Sequence, residues 1–420
     1  MIGFFRKLRK DRRGNALIIA GASLPLIVGA AGLATDTIQW TLWKRQLQRA
    51  ADSAALAGAY SRVNSGDYSS AVTSDLTKNN HLWMGWASGY PATTTPADAG
   101  NKTNQVQVSL GVRQSLGFTG VFITTAPLIT ASATAASVPD GKFCVVGLDS
   151  STTAAVTIGG SATVNLGCGV ISNSVNSTNS IDVNGNSYTL IADPVAGAGG
   201  LPSDSLDSHG GDNVEPYHIA EPDPFANKYP TSVPSGMSCD NFNTHTYNTG
   251  GNGNNAQKHL TAGCYSNFNA GNNTYYLDPG VYYLDSTSIS LSGQTGLVGT
   301  GVTLIFTGTT PGTISMNGSS FAQLTAPTSG TYAKMLMIQA ANASNANASL
   351  INGDNGSTFD GAIYFPKGDL TFTGSSSAAT KCAMIVGLRV HFNGNTDIQN
   401  NTTGCTADQQ TSGWKVRIVA

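Results

Sequence analysis

The sequence predicts a chain in two parts: an N-terminal transmembrane helix continuing into a long helix with a small α/β unit, and a large all-β domain beyond it. Three observations predict this. Ala16 to Thr35 runs 20 residues without a charge. Asp36 to Tyr60 follows without a proline and with apolar residues at helical spacing. From Gly141 onward that spacing is gone, and short β segments recur between Gly, Asn and Ser turns. A β-solenoid is the expected form of this last part, with a β-sandwich as the alternative because no strict repeat period is visible.

Residues 1–13 are a basic tail carrying Arg6, Lys7, Arg9, Lys10, Arg12 and Arg13 against Asp11. Residues 14–35 are the transmembrane helix. Twenty residues at about 1.5 Å each span roughly the 30 Å of bilayer hydrocarbon. The flanking positives hold the N-terminus in the cytoplasm, so the chain after Asp36 lies across the membrane. A cleaved signal peptide is the rival reading, but its apolar core is usually about 7–15 residues. The helix also continues past the membrane: Trp40, Trp43, Leu47, Ala50, Ala54 and Ala57 recur on one face, with both tryptophans placed as interfacial anchors.

Residues 36–140 hold this helix and the small α/β unit. Gly66 and Asp67 break the helix, Ser69 to Lys78 forms a shorter one, and Trp83 and Trp86 lie close together. Two strands alternate after them, over Gln105–Arg113 and Leu128–Val138. Residues 141–420 form the all-β domain, interrupted by a Pro-rich loop at 193–234 that wraps the outside or hinges two β halves. Residues 1–140 hold 13 Lys and Arg against 7 Asp and Glu; the remainder holds 9 against 17. A basic membrane end and an acidic outer part argue against a nucleic-acid partner.

Asp11–Ala16, Pro25 inside the apolar run, Asp36 at its exit and Leu47-Gln48-Arg49-Ala50-Ala51-Asp52-Ser53-Ala54-Ala55-Leu56-Ala57-Gly58-Ala59 closely resemble the N-terminal segment of TadG-like proteins of the tight-adherence (Flp) pilus-assembly systems. The likeness covers about residues 11–60, with a weaker one at 144–174 and 280–308. It implies a non-enzymatic component of a pilus or adhesion machine in a bacterial inner membrane: single-pass, with its bulk periplasmic or at the cell surface. By analogy, a long helix followed by a few strands is also how pilin-like subunits are built. Ile19 stands where pilins cut by prepilin peptidase typically carry Glu, counting from Gly14, so that processing is not expected. The implied partners are other pilus or secretion-platform subunits and the lipid bilayer, with surface or polysaccharide contact as a further option. Ala50, Ala54 and Ala57 offer a small-residue surface for such docking.

No cofactor, metal or catalytic residue is expected. His209, Asp212, Glu215, His218, Glu221 and Asp223 crowd one interval, but Pro216 forbids the helix that Glu215 and His218 would need, so a solvated acidic loop is expected. Asp182 opens a calcium-like loop whose sixth position is Ser187 instead of Gly, and the Gly/Asn run at 249–255 lacks the Asp of a calcium nonapeptide. Asp149, Ser151 and Thr153 match the start of a metal-dependent adhesion site, without the helices it requires. His81, His245, His259 and His391 are isolated. The enzymatic alternative is a carbohydrate-active solenoid using carboxylates among Asp278, Asp285, Asp354 and Asp360; a polymer-binding adhesin module is the third reading.

The six cysteines all lie past residue 140, on the expected oxidising side. Cys144 and Cys168 are 24 apart, Cys239 and Cys264 are 25 apart, and Cys382 and Cys405 are 23 apart. Such an advance would be about one coil, and adjacent strands at about 4.8 Å lie within disulfide reach.

Overall fold

The computed structural model describes residues 13–78, 85–185, 187–249, 257–271, 273–343, 348–352, 356–373, 377–402, 405 and 411–420. The basic tail up to Arg12, the side chain of Ala16, His81, Trp83, the run at 250–255 and Asp354 lie outside the described residues. The chain divides into two units, one holding the sequence up to Val138 with Val416–Ala420, the other Pro139–Lys415.

In the first unit, helix α1 (Arg13–Val63) runs 51 residues, about 77 Å at 1.5 Å per residue. Pro25 lies inside it. Its apolar run is bare, with Leu24, Leu26, Ile27, Val28 and Leu33 between 54% and 75% exposed. The hydroxyls of Thr35, Thr37 and Thr41 each donate to the carbonyl four residues earlier, which satisfies them where the run ends. Past Val63 the chain turns, and the Asp67 carboxylate accepts from the Ser69 N–H to start helix α2 (Tyr68–Lys78).

Small residues let α1 approach its neighbours closely. Leu47, Ala51, Ala54, Ala55 and Ala59 are fully buried, and a Cβ added at Gly58 would come within 2.8 Å of both Val72 on α2 and Val106 on a strand. This corrects the docking surface expected of Ala54, which packs inside its own unit; Ala50 and Ala57 are half-buried. Alanines at 50, 51, 54, 55, 57 and 59 occupy more than one helical face, so spacing alone could not select the buried one. Strands β1 (Ala92–Thr94), β2 (Thr103–Arg113) and the part of β3 (Leu128–Gly147) up to Val138 belong to this unit. β2 and β3 pair antiparallel, with Val106 opposite Ala135 and Leu110 opposite Ala131, and alternate residues of β2 turn inward.

The second unit is β-rich and almost wholly parallel. A representative coil passes through Gly280–Asp285, Ile289–Leu291 and Gly296–Thr300, then re-enters the first position at Val302–Thr307. Each position stacks on its counterpart in the next coil: Leu284 on Phe306, Ile289 on Ile314, Leu297 on Ala322. Three ladders result. Inward residues form one continuous aliphatic and aromatic cluster, including Phe306 against Phe365 and Phe372 against Phe392, both at 5.4 Å.

The order of coils does not follow the sequence. The coil ending in Ile385–Phe392 stacks on the first one, placing Val386 beside Val146 and Val390 beside Val156. The stack then continues through Gly169–Ser172, Val195–Gly197 and Val214–Pro216. At its opposite end is Cys239–Asn241. Ten steps separate the two ends of this ladder, about 48 Å. Residues 217–238 must cross that distance, within the roughly 70 Å reach of an extended segment of that length.

This strap runs along the outside of the first ladder. Phe225 packs on Tyr364 at 5.4 Å, Tyr229 stacks on Tyr332, and the Tyr332 hydroxyl donates to the Pro230 carbonyl at 2.6 Å. Strands beneath it are therefore covered on both faces: Val302–Thr307 and Met335–Gln339 are buried throughout, which is why Leu304–Phe306 and Met335–Ile338 read as apolar without alternation. The Pro-rich loop expected at 193–234 is corrected here. Its first part supplies two ladder strands and a short helix, Ser203–Ser208, and only the part after Pro216 is a strap. Three-residue strands are too short to show an alternation.

All three disulfides join adjacent coils: Cys144–Cys168, Cys239–Cys264 and Cys382–Cys405, with Cα separations of 5.9, 4.4 and 5.4 Å. Cys239 and Cys264 are direct register partners.

Candidate functional site

Two places concentrate chemistry, one in each unit. In the first unit the site is α1 itself. Among the described residues it is the one helix long and apolar enough to cross a membrane. Trp40 is 39% exposed with the Lys44 ammonium 5.5 Å from its ring, and Trp43 is half-buried. Asp36, the first charge after the run, is only 3% exposed and accepts from the Phe118 N–H at 2.9 Å and from Thr119.

In the second unit, Glu215 and His218 meet Asp140 and Lys415. The Lys415 ammonium lies 2.8 Å from Asp140 Oδ1 and 3.1 Å from Glu215 Oε1. His218 Nε2 faces the other oxygens, 3.6 Å from Asp140 and 3.7 Å from Glu215. Its Nδ1 donates to the Ile219 carbonyl, which fixes the ring orientation. The solvated loop expected of these residues is corrected: the His218 side chain is 1% exposed. Pro216 does break any helix, but the turn after a strand brings Glu215 and His218 together instead.

Burial pushes the Asp140 carboxyl up, yet its contacts with Glu215, Lys415 and His218 more than offset this and hold it below the usual range. Glu215 is raised by burial and then by the neighbouring Asp140 charge. The three donor atoms lie within 4.8 Å of one another, a spacing a cation could bridge, but Lys415 already supplies positive charge to both carboxylates. The arrangement works as an ionic clasp, tying the first residues of the unit, the start of the strap and Lys415 together.

Glu221 lies next along the strap. Its backbone is held by reciprocal 2.8 Å bonds with the Asn173 side chain, and its carboxylate accepts from the Thr411 hydroxyl. Burial pushes its pKa up to about 7. A raised folded-state value favours the protonated form, so this contribution to stability is full below about 4.5 and is lost as pH rises through 7. Glu221→Gln is expected to remove that pH dependence, about 2 kcal/mol after allowance for solvent screening. Chemical denaturation at pH 4.5 and pH 8 measures it; parallel behaviour of both proteins would refute it.

The remaining candidates have structural partners. Asp149 accepts from the Ser151 N–H and faces the Arg389 guanidinium at 3.5 Å. Asp182 sits in a strand and is bonded by Asn184, not in a calcium loop. His209 stacks on Tyr188 at 4.2 Å, and Asp223 accepts from the Tyr364 hydroxyl. His245 faces Asp240, His259 faces Asp278 and His391 faces Asp369. Asp278 also accepts from Tyr247, while Asp360 follows it three coils along the same ladder, about 14 Å away. Glycosidase carboxylates stand about 5–9.5 Å apart. Asp285 ends a strand of a different ladder.

Residues 14–61 match the family described as putative Flp pilus-assembly TadE/G-like (Tad). The matched Tad segment is α1 nearly end to end: the bare apolar run and the alanine-rich half buried in its own unit. No curated protein and no solved structure matches the chain. The clasp residues and Glu221 lie outside the Tad segment. Glu215, His218 and Glu221 stand out in the sequence as a local cluster, whereas Asp140 and Lys415 carry no local signal because they are brought in from remote parts of the chain.

Proposed function

We propose that this chain is a membrane-anchored, non-enzymatic component of a Flp/Tad-type pilus-assembly or adhesion machine, its N-terminus cytoplasmic and the rest on the far side of the membrane. The observation that carries this reading is the coincidence of the Tad match with one helix whose first half is apolar and bare and whose second half folds into the chain's own unit. The β-rich unit is then a three-sided β-solenoid carried by that anchor. Parallel stacking of successive coils supports this over the sandwich, whose sheets are antiparallel. Cross-coil disulfides suit an oxidising compartment. Partners are other pilus or secretion-platform subunits.

Alkaline phosphatase fused after residue 60 is expected to be active, and a reporter that works only in the cytoplasm is expected to be silent there. Deleting the gene is expected to reduce pili or surface attachment. A soluble mature protein, or the reverse reporter pattern, would overturn the anchor.

A further inference from the structure

We propose that the turn Phe118–Ile123 inserts into the lipid of the membrane face where α1 emerges, giving the first unit a second membrane contact; this rests on the anchor reading above. Phe118 packs directly on α1 at Gly32, where an added Cβ would overlap its ring. Gly32 is one helical turn before Asp36, inside the apolar run, and so about 6 Å deeper than the first charge. The turn therefore sits at the level of the hydrocarbon boundary.

Its tip is apolar and bare. Val121 is 78% exposed, Phe122 71% and Ile123 42%, and Phe122 leans on Phe118 at 5.2 Å. No charged residue lies between Arg113 and Asp140. The backbone of the turn is closed on itself, with Val121 N–H bonded to the Phe118 carbonyl and the Phe122 and Ile123 N–H groups to that of Thr119, as entry into an apolar medium requires. Asp36, the group most costly to place at that depth, is covered by the same turn through the N–H groups of Phe118 and Thr119. Arg113, at the base, donates to the Ala126 carbonyl and fixes the loop's exit. Lipid is the occupant because the exposed tip continues the exposed apolar face of the anchoring helix.

The full chain in lipid nanodiscs, spin-labelled at Phe122→Cys, Leu26→Cys or Thr95→Cys, tests this by collision with oxygen and with a water-soluble nickel chelate. Labels at 26 and 122 are expected to favour oxygen severalfold over the label at Thr95, an exposed position elsewhere in the unit. A lipid signal at 26 with an aqueous one at 122 overturns the inference and leaves the anchor standing. Shielding of 122 from both reagents means that protein covers the turn, and overturns it too. An aqueous signal at 26 sinks the anchor reading and this inference together.

Discussion

Replacing Cys239 and Cys264 together by serine is expected to destabilise the β-rich unit by about 3 kcal/mol, since the bond closes a loop of about 25 residues in the unfolded chain. The loss should begin locally. Among the described residues Cys239–Asn241 is the last strand of its ladder, three residues long and paired on one side only, to Gly263–Asn267. Its residues are half-buried or exposed, so little apolar burial holds it down. Removing the staple is expected to fray this coil and then free the end of the strap. The strand bearing Cys144 and the strand that directly follows Cys168 instead have ladder neighbours on both sides, and the matching double substitution there should leave local protection intact while lowering global stability. Hydrogen exchange together with denaturation under non-reducing conditions distinguishes the two. Equal protection of the 239–241 coil with and without its disulfide would count against the end-staple account.

What the sequence made legible was local. The apolar run, the helix break at Gly66 and Asp67 and the alternation of Val106, Val108 and Leu110 each depend on neighbours a few residues away. The cysteine intervals were informative because an adjacent-coil partner lies one coil along the chain. Ladder register was not legible. Coil length varies, since Cys264 faces Tyr283 while Phe306 faces Gln339, and this variation erases any repeat period. The stacking of the first coil on the last was hidden as well, because Val146 and Val386 are paired by shape and not by spacing. That order forces a strap to exist, and the strap buries Glu221 and His218 among residues no local pattern connects. The Pro-rich composition marked the interval as unusual without showing that its first part joins the ladder.

Ala54→Leu is expected to destabilise the first unit by about 1–3 kcal/mol through overpacking, a large part of the stability of so small a body. Ala54 is fully buried, and at Gly58, one turn on, contact is already so close that a single added carbon would meet Val72 and Val106 at 2.8 Å. The three heavy atoms that leucine adds on the same face would force α2 or β2 away from α1. Loss of pili in such a variant would therefore report unfolding, not a lost docking surface. Residues that can touch a partner without disturbing the unit are those that α1 leaves bare before its packed half, Ile38 at 61% and Leu42 at 53%. Ile38→Ser and Leu42→Ser are expected to leave thermal stability within about 0.5 kcal/mol of the parent while weakening any subunit contact made there. Thermal unfolding and pilus counts on the same three variants separate the two effects. Should Ala54→Leu melt with the parent protein, the close packing of α1 against α2 and β2 would be wrong.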